Sequence, residues 1–587
     1  MPSFLRRRIA LAPVAPDIRH LIRNRSMRPQ QNLRTAAEAL VDQLIVNGVQ
    51  HVFCVPGESY LAVLDAFHDR DITVTVCRQE GGAAMMAEAI GKATGRPGVC
   101  FVTRGPGATN ASPGIHIAQQ DSSPMILFIG QVGRDQKERE AFQEVDYRAM
   151  FGGMAKWVVE ITDPARMPEL VSRAFYEATS GRPGPVVVAL PQDVLTERIE
   201  TPPAPPFSPV ETEAGPAAMA ALQDMLLAAQ RPMLLLGGSR WSEEGCAAIA
   251  DFAVRFDLPV ATTFRRTHLF DALHPCFAGD LGIGPNPKLL ARVKAADLVI
   301  LVGGRLGEMP SQGYTLIDIP GPQTTFVHVH PGAQELGRVY RPHLAVNATP
   351  AAFARAAAAL QPPAAVPWAG AAATAHADYL AWTETPTDVP GGINLGRVML
   401  WLRDNLPADS YVTNGAGNYA SWIHRYYRFR RFATQVAPIS GSMGYAVPSA
   451  VAMKRLHPDR TVVSVNGDGD FLMNGQEFAT AVQYGLPVIV LVCDNGIYGT
   501  IRMHQEREYP GRVSATTLRN PDFAAYARAF GGFGATVERT EDFAAAFRAA
   551  QESGLPAILH LKVDPEAITP TATLAGIRET ALARRQV

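Results

Sequence analysis

The sequence predicts an α/β protein made of three doubly wound, parallel-sheet domains. Short apolar, β-branched runs alternate with longer helical stretches along almost the whole chain. Continuous apolar strands separated by helices belong to parallel sheets covered on both faces. Two Pro/Ala-rich stretches, 201–216 and 361–377, read as linkers between three blocks. At 587 residues the chain is also too long for one hydrophobic core.

Composition narrows the partners. The formal net charge is −1, so no field of one sign is available to hold nucleic acid or a membrane surface. No apolar run is long enough for a transmembrane helix. The cysteines at 54, 77, 100, 246, 276 and 493 form no CxxC or zinc-type spacing. They read as reduced, mostly buried thiols, which points to a cytoplasmic protein.

Residues 1–30 carry seven arginines against one acid. They are read as an N-terminal extension, expected to be disordered; the alternatives are a targeting segment or an internal start at Met27. The first block, 31–200, holds the strand runs "HVFCVPG", "ITVTVC", "GVCFVTRGPG", "PMILFIG" and "GPVVVALP". The second, 215–360, holds "PMLLLGG", "LPVATT", "ADLVILVGG" and "TTFVHVHP". The third, 390–565, holds "SYVTNG", "RTVVSVNGDGD", "LPVIVLVCDN" and "PAILHLKVD". Residues 566–587 form a C-terminal tail that is left open as a lid. Ligands of such sheets sit at the carboxyl ends of the strands.

Two strand ends in the third block carry the chemistry. After "RTVVSVN" the chain is expected to turn through Gly467-Asp468-Gly469, where glycines permit a tight turn and a close backbone approach. Asp468 offers a hard oxygen. "NGQEFATAVQYG" reads as a helix whose first amides face an anion. "LPVIVLVC" then returns as the neighbouring parallel strand and delivers Asn495, at the chain length a strand–helix–strand crossover needs. An aspartate, an amide and a backbone carbonyl suit Mg²⁺, which takes an octahedral oxygen set and shares it with phosphates. The bland alternative is a glycine turn and a surface Asn-Gly turn that bind nothing.

This stretch resembles the diphosphate-binding motif of the thiamine diphosphate (ThDP) enzymes. The resemblance implies that Asp468, Asn495 and the carbonyl of Ile497 hold Mg²⁺. It places the backbone of Gly469 and Asp470 on the diphosphate, with Gly467, Tyr498 and Gly499 beside it. "CRQEGGAAMMAEAIGKATGRPGVCFVTRGPGATN" is similar to the pyrimidine-domain segment of the acetolactate synthase branch, and Glu80 falls on its activating glutamate. Alone, a glutamate at a helix start is a helix-dipole partner. Pro56 and Gly57, Gly107 and Asn110, and Gly415, Ala416, Gly417 and Asn418 match further cofactor loops of the family. Phe142 and Gln143 fall on pocket residues, and Lys156 on a pocket lysine. In "SGSMGYAVPSA", Ser442 and Met443 match the loop whose bulky apolar side chain wedges under the cofactor, where a methionine would otherwise be a core filler. The catalytic set so implied is Glu80, Gln143, Met443 and His504.

The resemblance covers roughly 33–565 in the order pyrimidine-binding, middle and diphosphate-binding domain. It implies an acetolactate synthase-like enzyme that decarboxylates a 2-keto acid and ligates the fragment to a second carbonyl. It also implies a homodimer or dimer of dimers, because Glu80 of one subunit would serve another, and admits a regulatory subunit. Two departures keep other activities open. His504 stands where the synthases carry a tryptophan, and Met309 replaces an acceptor-gripping arginine while Arg305 is retained. A thioether cannot pair with a carboxylate. A non-ligating 2-keto acid decarboxylase, a 2-hydroxyacyl- or oxalyl-CoA lyase, and an inactive nucleotide-binding relative are the alternatives. FAD, an ADP-like group or no ligand are open for the middle domain. His328 and His330 are expected to face one way there, as surface or nucleotide-contact residues rather than metal ligands. His504 is open between solvent and pocket acid/base, and His116 is expected beside the pyrimidine-domain pocket.

Overall fold

The computed structural model describes residues 33–585, so the expected extension at 1–30 lies outside the described residues. Three six-stranded sheets follow one another along the chain, and every strand pairing within them is parallel.

The first sheet contains β1 (His51–Cys54), β2 (Thr73–Val76), β3 (Gly98–Val102), β4 (Met125–Gln131), β5 (Trp157–Glu160) and β6 (Pro185–Pro191), in the order β2-β1-β3-β4-β6-β5. Every residue of β3, β4 and β6 is buried. Burying such Val, Leu, Ile and Phe side chains contributes about 1.5–3 kcal/mol each. Helices α1 (Glu80–Thr94) and α2 (Pro106–Asp121) cover one face. Their small residues let backbones touch: a Cβ on Gly114 would stand 2.4 Å from that of Ala84. Gly95, at φ +69°, ends α1 in the left-handed conformation that closes many helices.

The second sheet contains β7 (Pro232–Leu236), β8 (Val260–Thr263), β9 (Phe277–Leu281), β10 (Leu298–Val302), β11 (Thr325–Val329) and β12 (Leu344–Val346). Its order, β9-β8-β7-β10-β11-β12, is the doubly wound order of dinucleotide-binding sheets. The strand order reverses between β7 and β10, and a crevice opens there.

The third sheet contains β13 (Tyr411–Asn414), β14 (Gln435–Val436), β15 (Val462–Gly467), β16 (Ile489–Asp494), β17 (Phe533–Val537) and β18 (Ala557–Lys562), in the order β14-β13-β15-β16-β18-β17. Helix α3 (Ala446–Leu456) packs on it, α4 (Asp468–Asn474) follows β15, and α5 (Gly499–Glu508) follows β16. A last helix, α6 (Leu574–Arg585), lies against α5. β5, β9, β12, β14 and β17, absent from the sequence reading, are all sheet edges.

A buried charge cluster joins all three sheets. The Lys92 ammonium on α1 lies 2.7 Å from Asp121 and 3.3 Å from Glu88. It also donates to the Ala437 carbonyl at 2.9 Å. Arg266, after β8, donates to the Asp121 carbonyl, and the amide of Ile439 donates to the Asp121 carboxylate at 2.9 Å. The Tyr445 hydroxyl donates to Glu88. Lys92→Met would remove the cation closest to two buried carboxyls, leaving Asp121 to Arg266 at 3.5 Å and Glu88 to Tyr445, so it is expected to cost about 3 kcal/mol in denaturant unfolding.

Helix α6 is tied to α5 chiefly through the Glu506 carboxylate. Glu506 accepts two 2.7 Å hydrogen bonds from Arg578, one from Arg502 and one from the Gly511 amide. The Arg578 bonds hold its carboxyl down at about 2, against an ordinary 4.5. A carboxyl lowered by folding stabilises above its unfolded value, and that contribution is lost as pH falls from 4.5 through about 2. Glu506→Gln removes a charged acceptor of hydrogen bonds that contribute about 1.5–3 kcal/mol each. Tryptic cleavage within 574–585 is expected to rise about tenfold or more at neutral pH.

Candidate active site

β15 and β16 lie side by side, with Gly467 opposite Cys493, so Asp468 and Asn495 emerge at adjacent strand ends. The crossover between them is as the sequence predicts. The expected glycine turn is corrected. β15 runs straight into α4, whose first residue is Asp468, and Gly467 has an ordinary φ of −79°. The single helix expected after the motif is broken by a tight turn at Gly475–Glu477. The glycines serve close approach instead. A Cβ on Gly469 would stand 2.6 Å from the Tyr498 ring, and one on Gly467 3.0 Å from the Tyr419 ring.

A cavity of about 260 Å³ opens at these strand ends. Ala416, Gly417, Asn418, Met443, Gly467 and Asp468 line it, together with Gly469, Asp470, Asn495, Ile497, Tyr498 and Gly499. Gly415 and Ser442 do not line it, although they adjoin Ala416 and Met443 in the chain.

Asp468 is buried, and burial beside the Asp494 charge pushes its carboxyl up to about 6. One oxygen accepts from the Gly469 amide; the other accepts from Gly496, at 2.9 Å, and from the Asn520 side chain, at 2.7 Å. The same Asn520 amide donates to Asp494 at 2.7 Å. Burial opposes the charge of Asp494, but hydrogen bonds from His560, Lys562 and Asn520 outweigh it and hold the carboxyl well below the usual range. Two neighbouring carboxyls are thus held differently: donors keep Asp494 ionised, and burial disfavours the charge of Asp468.

Asp470 was expected to offer only its backbone. Its buried carboxylate also fastens three loops. It accepts from the Tyr419 hydroxyl at 2.6 Å, the Gly444 amide at 2.7 Å and the Ala416 amide at 3.4 Å. Gly415 leaves room for it, because a Cβ there would lie 2.2 Å from an Asp470 oxygen. Asn474 donates to the Gly444 carbonyl at 3.1 Å. Residues of α4 therefore grip Met443's neighbour from both sides.

The donor set fits the expected group. The cavity pairs a hard carboxylate and an amide with glycine-walled backbone, the chemistry of a magnesium-bound diphosphate. Met443 faces this space as an apolar side chain.

The remaining expected residues gather on the first sheet. Glu80 is the first residue of α1, half-buried, and accepts from Asn110 at 3.0 Å. A Cβ on Gly107 would lie 3.5 Å from Glu80, and one on Gly57 2.4 Å from Thr103. Pro56 precedes Gly57 in the loop after β1. Gln143, at φ +65°, packs where Gly105 leaves space, and Phe142 beside it is 73% exposed. None of these seven expected residues lines the 260 Å³ cavity of the same chain.

Three expectations shift. His504 is exposed on α5 and lines neither large cavity. The Lys156 ammonium is tied to the Ser180 carbonyl at 2.7 Å and also lines neither. His328 and His330 are buried rather than at the surface. His328 Nε2 donates to the Gly304 carbonyl at 2.9 Å, and its other nitrogen has no partner. No group of three metal-ligating side chains occurs among the described residues.

A second cavity, about 780 Å³, occupies the crevice of the middle sheet. Gly238, after β7, and Gly303 and Gly304, after β10, line it at the point where the strand order reverses. His116, Arg305, Met309 and His328 face it as well. Ala416, Gly417 and Asn418 belong to both cavities.

Sequence reading missed Tyr419, Asp494 and Asn520. Asp494 sits beside Asn495 in the motif, but nothing local marks Tyr419 or Asn520.

Three parallel sheets with a glycine-walled cavity at adjacent strand ends define a ThDP-type fold, and family comparison agrees. Residues 34–150 match the thiamine pyrophosphate enzyme N-terminal TPP binding domain, 219–357 the central domain, and 415–561 the C-terminal TPP binding domain. The chain belongs to the thiamine pyrophosphate enzymes, in the branch of the acetolactate synthase large subunits. It is 32% identical over 533 residues to acetolactate synthase isozyme 2 large subunit of Escherichia coli K12, covering 90% of this chain and 95% of that relative. With the acetolactate synthase large subunit of Parasynechococcus marenigrum WH8102 it is 34% identical over 556 residues, covering 90% and 87%. With the acetolactate synthase of Bacillus subtilis 168 it is 29% identical over 542 residues, covering 90% and 93%.

Proposed function

We propose that this chain is a ThDP- and Mg²⁺-dependent carboligase of acetolactate synthase type, acting on pyruvate or a similar 2-keto acid. The observation that carries this is the single cavity in which Asp468, Asn495, Ile497 and Met443 meet. In this reading Asp468, Asn495 and the Ile497 carbonyl hold the metal. The amides of Gly469 and Asp470 meet the diphosphate, and Met443 supports the cofactor from its apolar side. The bound cofactor supplies an electron sink for the charge left when the 2-keto acid loses CO₂. Glu80 exchanges a proton with a pyrimidine ring nitrogen, and Gln143 and Phe142 line the approach.

Glu80 lies outside the cavity of its own chain, which favours a homodimer or dimer of dimers in which it serves a second copy. A regulatory subunit is a further candidate partner. Domain limits near 31–200, 215–360 and 390–565 suit the three family matches. The order of the middle sheet and its glycine-lined crevice favour a dinucleotide such as FAD there. Free cysteines at all six positions suit a cytoplasmic setting.

Incubation of the purified protein with pyruvate, ThDP and Mg²⁺ tests the reading: two pyruvates lose one CO₂ and join as acetolactate. The second reading, a non-ligating decarboxylase or an acyl-CoA lyase, is favoured by Met309 in the acceptor position. It gives acetaldehyde, or no turnover of pyruvate with turnover of an acyl-CoA.

A further inference from the structure

The segment that leads into Glu80 is held by a residue of the third sheet's layer. Glu477, in the turn Gly475–Glu477 after α4, is fully buried. One of its carboxylate oxygens accepts from the backbone amides of Arg78 and Gln79, at 3.0 and 2.9 Å. The other accepts from the Thr480 hydroxyl at 2.6 Å. Tyr484 and Gln483 extend the clasp. The Tyr484 hydroxyl accepts from the Val76 amide at 2.9 Å, and Gln483 accepts from the Arg78 guanidinium at 2.6 Å.

Gly82, on the first turn of α1, makes the approach feasible. A Cβ there would stand 2.7 Å from the Glu477 oxygen that takes both amides. The Gly82 amide is turned to the Gln79 side chain, which caps the helix. Glu477 lines neither large cavity, so no ligand accounts for a buried acid at this place. Three donors converge on one carboxylate, a group that only accepts. What they fix is the backbone immediately before Glu80.

We propose that Glu477 is a positioning residue for Glu80: by accepting from the two amides that precede it, Glu477 sets the direction in which α1 presents the Glu80 carboxyl. This rests on the reading of Glu80 as the group that acts on the pyrimidine ring. Glu477→Ala leaves two buried amides without an acceptor. Glu477→Gln keeps an acceptor for both and turns its NH₂ toward the Thr480 oxygen. Gly82→Ala acts from the other side, by displacing the carboxylate.

Hydrogen–deuterium exchange on the protein without cofactor reads the clasp directly. In Glu477→Ala and Gly82→Ala, amides of 76–82 are expected to exchange about tenfold faster or more, with β4 and β16 unchanged. Glu477→Gln stays within about threefold of wild type. With ThDP and Mg²⁺ present, the two alanine variants lose about 10–100-fold in kcat while KM and cofactor Kd hold, because a misplaced group costs rate before binding. Glu477→Gln recovers most of it.

Unchanged exchange at 76–82 in either alanine variant overturns the proposal. So does faster exchange with unchanged kcat, and so does faster exchange spread evenly over β4 and β16. Should Glu477→Ala not fold, Gly82→Ala and Glu477→Gln decide. The Glu80→Gln variant separates the two readings: full turnover there removes the role of Glu80, whereas the exchange result tests the clasp alone.

Discussion

Glu80→Gln is expected to leave ThDP affinity within about threefold of wild type and to lower turnover about 10²–10⁴-fold, the range a positioned proton-transfer group contributes. The substitution changes little else. Glutamine keeps an oxygen for the Asn110 amide, 3.0 Å away in the wild type, and keeps the length of the side chain. It keeps the first residue of α1 in place between Gly107 and Gln79. What it cannot do is exchange a proton at neutral pH. Isothermal titration with ThDP and Mg²⁺, beside steady-state rates, separates the effects. Equal loss of binding and rate would place Glu80 among the groups that merely hold the cofactor. An unchanged rate would remove it from the chemistry.

The second large effect falls on binding. Asp468→Ala is expected to weaken Mg²⁺-dependent ThDP binding at least about 100-fold. At a cofactor concentration of about 100 Kd, binding stabilises the wild type by about 2.7 kcal/mol. That shift in melting temperature should vanish in the variant. The reason lies in the pair of carboxyls. Asp494 is already paired with the Lys562 ammonium and takes hydrogen bonds from His560 and Asn520, so it has little left to lend a metal. Asp468 is held by amides alone, those of Gly469, Gly496 and Asn520, so no side-chain cation already matches its charge. A retained thermal shift in Asp468→Ala would move the metal elsewhere.

The central strands were legible because burial on both faces forces an unbroken apolar run, as in "PMILFIG" and "PVIVLVC". The unforeseen strands are edges, where one side needs no partner strand. β14 has only two residues, β17 is half-buried, and β9 carries a glycine and an aspartate. The Asp468–Asn495 pair was legible because a crossover between neighbouring strands has a fixed length. The role of the glycines was misread, since a glycine that makes room for a tyrosine ring looks the same in sequence as one that bends the chain. Tyr419, Asn520 and Glu477 left no local sign. Their partners lie 51, 52 and 398 residues away. His504 was open between solvent and pocket, because a place beside a motif does not say which way a helix turns a side chain; on α5 it is exposed.

The charge cluster around Lys92 bears on how the chain comes apart. Long proteins with several sheets commonly lose them in steps, through partly folded states. Here, peeling the middle layer away would part Arg266 from Asp121, and peeling the third away would strip Lys92, Asp121 and Glu88 of the Ala437, Ile439 and Tyr445 groups that satisfy them. Partial melting is therefore disfavoured at every joint, and heat should undo the three layers together. A scanning calorimeter would register one endotherm whose calorimetric and van't Hoff enthalpies agree.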